Sequence, residues 1–286
     1  MKKRNHFFIL LSCIGFLLVS CGKTSTSSET KNNSTDSLTE QSIEVSDESK
    51  KIEFKILADS GTIELVAGEE GSPSASFREE ILVVTKVPNQ TDLDAIQAIL
   101  QKKQDYSGDA EQALAKKKKN YLEGYVEMNS EEVIGMSAEW DRDFRVDVLY
   151  NDNYLTTVGF YLDEYGGGAH SYYTASYLVL DLKNNKKVTL SDIFDANGIQ
   201  TLTQKLTDKA KEIAKKEGAA SMDDYGFLVE KVEPTERFIV TGNGIEFTYD
   251  RAEITPYVMP APSFFFAWQE IEDIVKTNAP VRILMN

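Results

Sequence analysis

Two histidines and two cysteines are all that this chain of 286 residues carries: His6, His170, Cys13 and Cys21. That scarcity excludes zinc sites built on clustered Cys and His, and it excludes a disulfide framework. Bases are short as well, 31 Lys and Arg against 46 Asp and Glu, for a formal charge of −15. Phosphate recognition needs clustered Lys and Arg, so nucleic acid is not expected as a partner. No apolar run reaches the roughly 20 residues of a membrane-spanning helix. What the chain does have is 41% hydrophobic residues, including 14 Phe and 13 Tyr. That is enough to bury one or two cores and too aromatic for a wholly disordered chain.

Lys2, Lys3 and Arg4 precede an apolar stretch, Phe7 to Val19, broken only by Ser12, Cys13 and Gly15. A basic start followed by a short apolar run reads as a secretory signal peptide over residues 1–20. It ends in Leu18-Val19-Ser20-Cys21-Gly22, which resembles a bacterial lipobox. The resemblance implies acylation of Cys21 and cleavage before it, so the lipid bilayer is an expected partner. The expected location is the cell envelope, lipid-anchored at an outer membrane or cell surface. Removing residues 1–20 takes three bases and no acid, which turns −15 into −18. It also leaves His170 as the only histidine and no free thiol.

Residues 22–50 hold thirteen Ser or Thr, no aromatic residue and no proline. With Cys21 they read as a solvated tether, 21–50, whose random-coil span is about 30 Å.

The body that follows alternates extended and helical patterns. Residues 51–58 and Ile63–Ala67, separated by Ser60-Gly61, predict a first hairpin, and Phe77–Val87 another extended run. Thr91 or Asp92 can cap a helix with Leu93, Ile96, Ile99 and Leu100 on one face. A second helix is expected over about Asp109–Val126, with Ala110, Leu114, Tyr121 and Tyr125 on one side. Lys116–Lys119 on it reads either as a solvated face or as a docking site for an anionic polymer or lipid. From Trp140 three strands follow, with turns at Asn151–Asn153 and Asn184-Asn185, the pattern of an antiparallel meander. Ile199, Leu202, Leu206, Ala210 and Ile213 predict an amphipathic helix. Strands are expected at Phe238–Val240, Ile245–Tyr249, Tyr257–Met259, Ser263–Ala267 and Val281–Leu284, with a helix over Trp268–Val275. Blocks of strands and helices without a βαβ rhythm make the fold class α+β, an antiparallel meander with packed amphipathic helices.

One segment concentrates unusual residues: Tyr165-Gly166-Gly167-Gly168-Ala169-His170, between two strands of the meander. Adjacent glycines suit positive φ or close approach of a partner to the main chain, and their N–H groups can cradle an oxygen-rich group. Tyr165 and His170 edge the loop, and Tyr172 and Tyr173 follow. The segment reads either as a recognition surface for sugar or protein or as a glycine-rich bulge with His170 bonded locally.

That segment is followed by Asp181-Leu182-Lys183-Asn184-Asn185-Lys186-Lys187-Val188-Thr189-Leu190-Ser191-Asp192-Ile193-Phe194, then Gly244–Tyr249 and Glu253-Ile254-Thr255-Pro256-Tyr257. In this order they resemble the extracytoplasmic module of lysozyme-sensing anti-sigma factors, a module also found ahead of some peptidoglycan deacetylases. The resemblance runs from about residue 51 to the end. It implies two sequential subdomains forming one body, an N-terminal α+β half at 51–182 and a C-terminal half at 183–286. It also implies a lysozyme-like muramidase or peptidoglycan as the macromolecular ligand, met by Tyr165, Gly166, Gly167, Gly168, Ala169 and His170. Ser171 follows His170 where the resembled pattern often has Pro or Gly.

Residue supply limits chemistry. One mature histidine cannot make a two-His metal site, and no Cys nucleophile remains. A Ser-His-Asp triad would have to combine His170 with Ser171 or Ser176, without a Gly-x-Ser-x-Gly elbow. Carboxylate pairs such as Asp163 and Glu164 leave glycoside cleavage open. Asp141, Asp143 and Asp147 leave calcium open, though no twelve-residue calcium loop is present. The expectation is a non-catalytic binding module with no cofactor, no metal and no catalytic residue. The alternatives are a carboxylate-based glycan hydrolase and a structural envelope component.

Overall fold

The computed structural model describes residues 50–129 and 139–285. Cys21, the expected leader and all of the expected tether but Lys50 lie outside them. Among the described residues the chain is α+β, with a six-stranded sheet, a separate three-stranded sheet and six helices.

Strands β1 (Glu53–Glu64) and β2 (Ser74–Lys86) form a long antiparallel hairpin. The turn expected at Ser60-Gly61 is not there: Ser60 pairs with Arg78 and Gly61 with Phe77, inside the ladder. Reversal comes later, where Leu65 N–H bonds the Pro73 carbonyl at 2.8 Å and Gly68 and Gly71 take φ of 77° and 80°. Gly61 serves a different purpose, since a Cβ on it would lie 3.2 Å from Lys118 Cδ. A helix crosses the strand at that point, and glycine makes room for it.

Asp92 caps α1 (Leu93–Lys103) by accepting from the N–H groups of Asp94 and Ala95, as its residue type favours. Helix α2 (Ala110–Asn129) lies across the hairpin, burying Ala110 and Leu114 against Ile81. The two helices carry the chain back to β3 (Trp140–Asp152), which pairs parallel to β2 over Ala75–Glu79. A parallel neighbour requires such a crossover. Beyond Glu79 the two strands have no ladder pairs, and α1 and the residue that follows it supply side-chain amides to the edge of β2. Gln97 Oε1 accepts from Val84 N–H at 2.9 Å and Gln104 Oε1 from Leu82 N–H at 2.7 Å.

Strands β4 (Leu155–Tyr165), β5 (Tyr172–Asp181) and the short β6 (Lys186–Lys187) complete the meander. The β3–β4 turn sits on Asn153 and Tyr154, with φ of 53° and 61°, rather than on Asn151–Asn153. Asn151 and Asp152 stay in the ladder opposite Thr156 and Leu155. Paired left-handed residues give the twist that a two-residue hairpin needs.

Strand β4 is buried on both faces. Val158 and Phe160 share a core with Ile96 and Leu100 of α1 and with Leu178 and Leu180. On the opposite face Leu155 and Val179 join a second core, and the Thr157 hydroxyl donates to the Val240 carbonyl at 2.7 Å. That second core belongs to the remaining elements. They are α3 (Leu190–Ile193), α4 (Ala196–Lys216), α5 (Met222–Tyr225), β7 (Phe238–Thr241), β8 (Gly244–Thr248), β9 (Ser263–Ala267) and α6 (Trp268–Ile271). Leu202, Leu206 and Ala210 of α4 are fully buried in one core with Phe247, Phe264 and Phe266. Each leucine contributes about 1.5–3 kcal/mol of burial.

Three expected elements differ. Tyr257–Met259 is a turn, closed by Met259 N–H on the Pro256 carbonyl, because Pro256, Pro260 and Pro262 break any strand pairing there. Val281–Leu284 lies in a 3-10 helix, Pro280–Leu284, entered at a proline. Helix α6 ends at Ile271 instead of Val275, and Val275 forms a bridge with Phe194. The Arg282 guanidinium takes the Glu272 and Val275 carbonyls that a longer helix would have left free.

Candidate functional site

The glycine loop closes the β4–β5 hairpin, and its conformation follows from its residues. Gly167 and Gly168 adopt φ of 86° and 102°, a region that L side chains rarely enter, so two of the three glycines are required by the backbone. The Tyr165 hydroxyl donates to the Gly168 carbonyl at 2.9 Å and pins the loop onto the end of β4. Gly166, Gly168, Ala169 and His170 are exposed, while Tyr165 and Gly167 are half-buried.

His170 does not bond within its own loop. Its ring packs 5.8 Å from that of Tyr257, centroid to centroid, and the Arg251 guanidinium lies 5.6 Å from the same tyrosine's centroid. The fold thus joins two segments that the sequence singled out separately, Tyr165–His170 and Glu253–Tyr257. The second segment is held from below. Arg237 pairs with Asp250 at 3.1 Å and also with Glu253, Asp250 N–H bonds Glu253, and the Tyr249 hydroxyl donates to the Glu233 carbonyl at 2.7 Å. Burial, followed by the nearby Glu253 carboxylate, pushes the Tyr249 hydroxyl well above the usual phenol range. It therefore stays a donor.

Around this contact the surface is apolar and aromatic. Tyr172 is 60% exposed and Val258 91% exposed, and Tyr173 and Tyr257 are nearly half exposed. Clustered exposed apolar side chains mark contact surfaces far more often than isolated ones do.

Beside it, between β5 and β8, lies a cleft of about 410 Å³. Tyr173, Ala175 and Tyr177 form one wall, and Glu246 and Thr248 stand on the other. Asp250, Arg251 and the Pro260–Ser263 stretch rim it. The Tyr161 ring meets Tyr177 edge-on at 6.3 Å, and burial, with help from Tyr177 and Asp147, pushes its hydroxyl up to about 12. Burial also raises Tyr177, followed by Tyr173 and Glu246, while a hydrogen bond with Thr248 works the other way.

The other sequence candidates separate. Asp163 and Glu164 are consecutive in β4, so their side chains leave opposite faces of the sheet and do not converge on one bond. Glu164 is held by Arg142 at 3.1 Å, and Asp163 lies across from Asp143. Among the described residues no three His, Cys, Asp or Glu side chains are grouped to hold a metal ion. The Ser176 hydroxyl accepts from Lys103 at 2.8 Å. Of the lysine run, Lys117 is engaged by Glu79 and the Gln104 carbonyl, Lys118 by Asp59 at 2.6 Å, and Lys119 lies 3.8 Å from Glu123.

Sequence reasoning missed the cleft. Its only trace was Tyr173, Ala175 and Tyr177 at alternate strand positions, two rings flanking a small residue, with Glu246 the one charged residue of its strand. Each pattern also fits an ordinary solvated face.

Residues 191–269 match a family described as "Protein of unknown function (DUF3298)". They span α3 to α6 and include Arg251 and Tyr257, whereas the glycine loop precedes them. No curated protein matches the chain. Among solved structures, a member of the DUF3298 family from Bacteroides fragilis is 23% identical, covering 82% of this chain and 97% of its own, with a TM-score of 0.70. A DUF3298 family protein from Pseudomonas aeruginosa is 18% identical, covering 80% and 96%, with a TM-score of 0.57. What these likenesses carry is the fold.

Proposed function

We propose that this protein is a cell-envelope lipoprotein, anchored through acylated Cys21, whose body is a non-catalytic recognition module for a lysozyme-like muramidase or for peptidoglycan. The observation that supports it is the meeting of His170 with Tyr257. It builds one exposed aromatic surface from two loops on different sheets, fixed by Tyr165, Arg237 and Tyr249. Rigid loops that present tyrosine, glycine and histidine suit binding of a large partner. The choice of ligand rests on the resemblance to anti-sigma ectodomains at the Gly-Gly-Ala-His and Leu-Ser-Asp-Ile-Phe segments. A charge of −15, or −18 once residues 1–20 are removed, speeds encounter with a basic muramidase in a salt-sensitive way.

The test is calorimetric titration of residues 22–286 with hen-type lysozyme and, separately, with soluble muropeptides, at low and high salt. Saturable lysozyme binding is expected, weaker at high salt and at least about tenfold weaker in His170→Ala, as for an interface anchor. Binding to muropeptides alone moves the role to wall attachment. No heat with either ligand overturns the reading, and release of reducing ends would replace it with the hydrolase.

A further inference from the structure

Glu246 stands on the wall of the inter-sheet cleft, and its carboxylate forms no hydrogen bond or ion pair among the described residues. The two arginines nearby are engaged elsewhere. Arg237 is shared by Asp250 and Glu253, and Arg251 lies against the Tyr257 ring. Facing Glu246 across the cleft are Tyr173 and Tyr177, on either side of Ala175. The strand period puts all three on one face, and the small alanine opens the space between the rings.

We propose that this cleft is a binding site for an organic cation, the guanidinium or ammonium head of a basic group. Glu246 serves as its counter-ion, and Tyr173 and Tyr177 serve as aromatic walls. The chemistry is specific. A half-buried carboxylate without a partner favours a positive charge, and tyrosine faces attract cations through their quadrupole, most strongly where water is thinned. The Thr248 hydroxyl, which donates to the Arg237 carbonyl at 3.2 Å and bonds Tyr177, keeps a lone pair on the Glu246 wall for one N–H of the guest. The cleft's roughly 410 Å³ admits an arginine or lysine side chain or a choline-sized amine, but not a folded chain. An anion would meet Glu246 and Asp250 together, and an uncharged sugar would leave Glu246 without a charge partner.

The inference stands on the cleft and does not need the muramidase reading. The intact mature protein, kept in nonionic detergent, is titrated with N-acetyl-arginine methylamide, with choline, and with the citrulline analogue, which keeps the shape and lacks the charge. The expected result is saturable millimolar binding of a cation, none for citrulline, and at least a tenfold loss in Glu246→Gln and in Tyr173→Ala. Glu246→Gln is isosteric and Tyr173 is partly exposed, and unchanged melting of both variants checks their folding. Preference for the arginine analogue assigns the cleft to a basic side chain of a protein, and preference for choline to a free quaternary amine. Failure of both cations to saturate, equal binding by Glu246→Gln, or citrulline binding as tightly as arginine overturns the site. Cation binding without lysozyme binding keeps the cleft and removes the muramidase, and the converse result does the reverse.

Discussion

The rings of His170 and Tyr257 stand 5.8 Å apart, although one follows the glycine loop of the large sheet and the other lies in the proline-bracketed turn before β9. Tyr257 is the centre of this contact, because Arg251 also lies against its ring. Replacing it with alanine removes one partner from both His170 and Arg251 at once. If the proposed muramidase reading holds, Tyr257→Ala is expected to weaken that binding at least about tenfold, with a loss of stability under about 1 kcal/mol because the ring is nearly half exposed. Titration and thermal melting of the same sample check both halves, and unchanged affinity would remove this contact from the recognition surface.

Gln104 gives a purely structural counterpart. Its buried side-chain amide accepts from Leu82 N–H at 2.7 Å and donates to the Leu82 carbonyl at 2.9 Å, as the peptide of a neighbouring strand would. Gln104→Leu fills the volume but strands both backbone groups away from water. A loss of about 2–4 kcal/mol is expected, read as a lower denaturant midpoint at unchanged slope. A loss below 1 kcal/mol would mean that β2 repairs its edge in another way.

The sequence carried much of this architecture and little of its polar interior. Asp92 ahead of Ile96 and Leu100 was legible because a capping aspartate and a helical apolar stripe are local signals. The stripe through Leu202, Leu206 and Ala210 was legible for the same reason. Ser60-Gly61 misled because a glycine that makes room for a crossing helix looks, in one dimension, like a glycine that turns a chain. Val281–Leu284 misled because a short apolar run carries no period long enough to separate strand from 3-10 helix. The glycine loop was visible as composition, whereas Tyr257 was visible as the end of a resemblance segment and as part of a strand that does not form, and neither pattern showed that it meets His170. Glu246 and Glu79 were invisible, since a carboxylate's burial depends on elements far away in sequence.

Glu79 is 1% exposed and bound by both Lys117 and Arg142. Glu79→Ala leaves two cations facing a site built for an anion. Both are partly exposed, so water relieves some of that, and the expected loss is about 2–4 kcal/mol. Replacing two members together, Glu79→Leu with Arg142→Met, is expected to recover part of it, since two charges no longer need desolvation, Lys117 keeps the Gln104 carbonyl and the partly exposed Glu164 is left to water. Denaturant titration of single and double variants decides. If the double variant is no more stable than Glu79→Ala, the network is worth more as ions than as packing.

Asp192 gives a pH prediction with a definite sign. Burial raises its carboxyl, but hydrogen bonds from Lys186 at 2.5 Å and from the Thr189 N–H and hydroxyl at 2.9 Å outweigh burial and hold it below the ordinary 3.8. A carboxyl lowered by folding contributes stability that is fully present above its unfolded value and is lost as pH falls through the folded one. Asp192→Asn is therefore expected to be less stable than the natural chain at pH 7 by about 0.5–2 kcal/mol, the size of a helix-cap loss. The gap should hold down to about pH 5 and narrow below pH 4, as the natural carboxylate takes up its proton and loses Lys186 and the cap together. Urea midpoints of both proteins measured from pH 7 to pH 2.5 check this. A gap that stays constant across that range would mean that Asp192 holds the start of α3 by shape and not by charge.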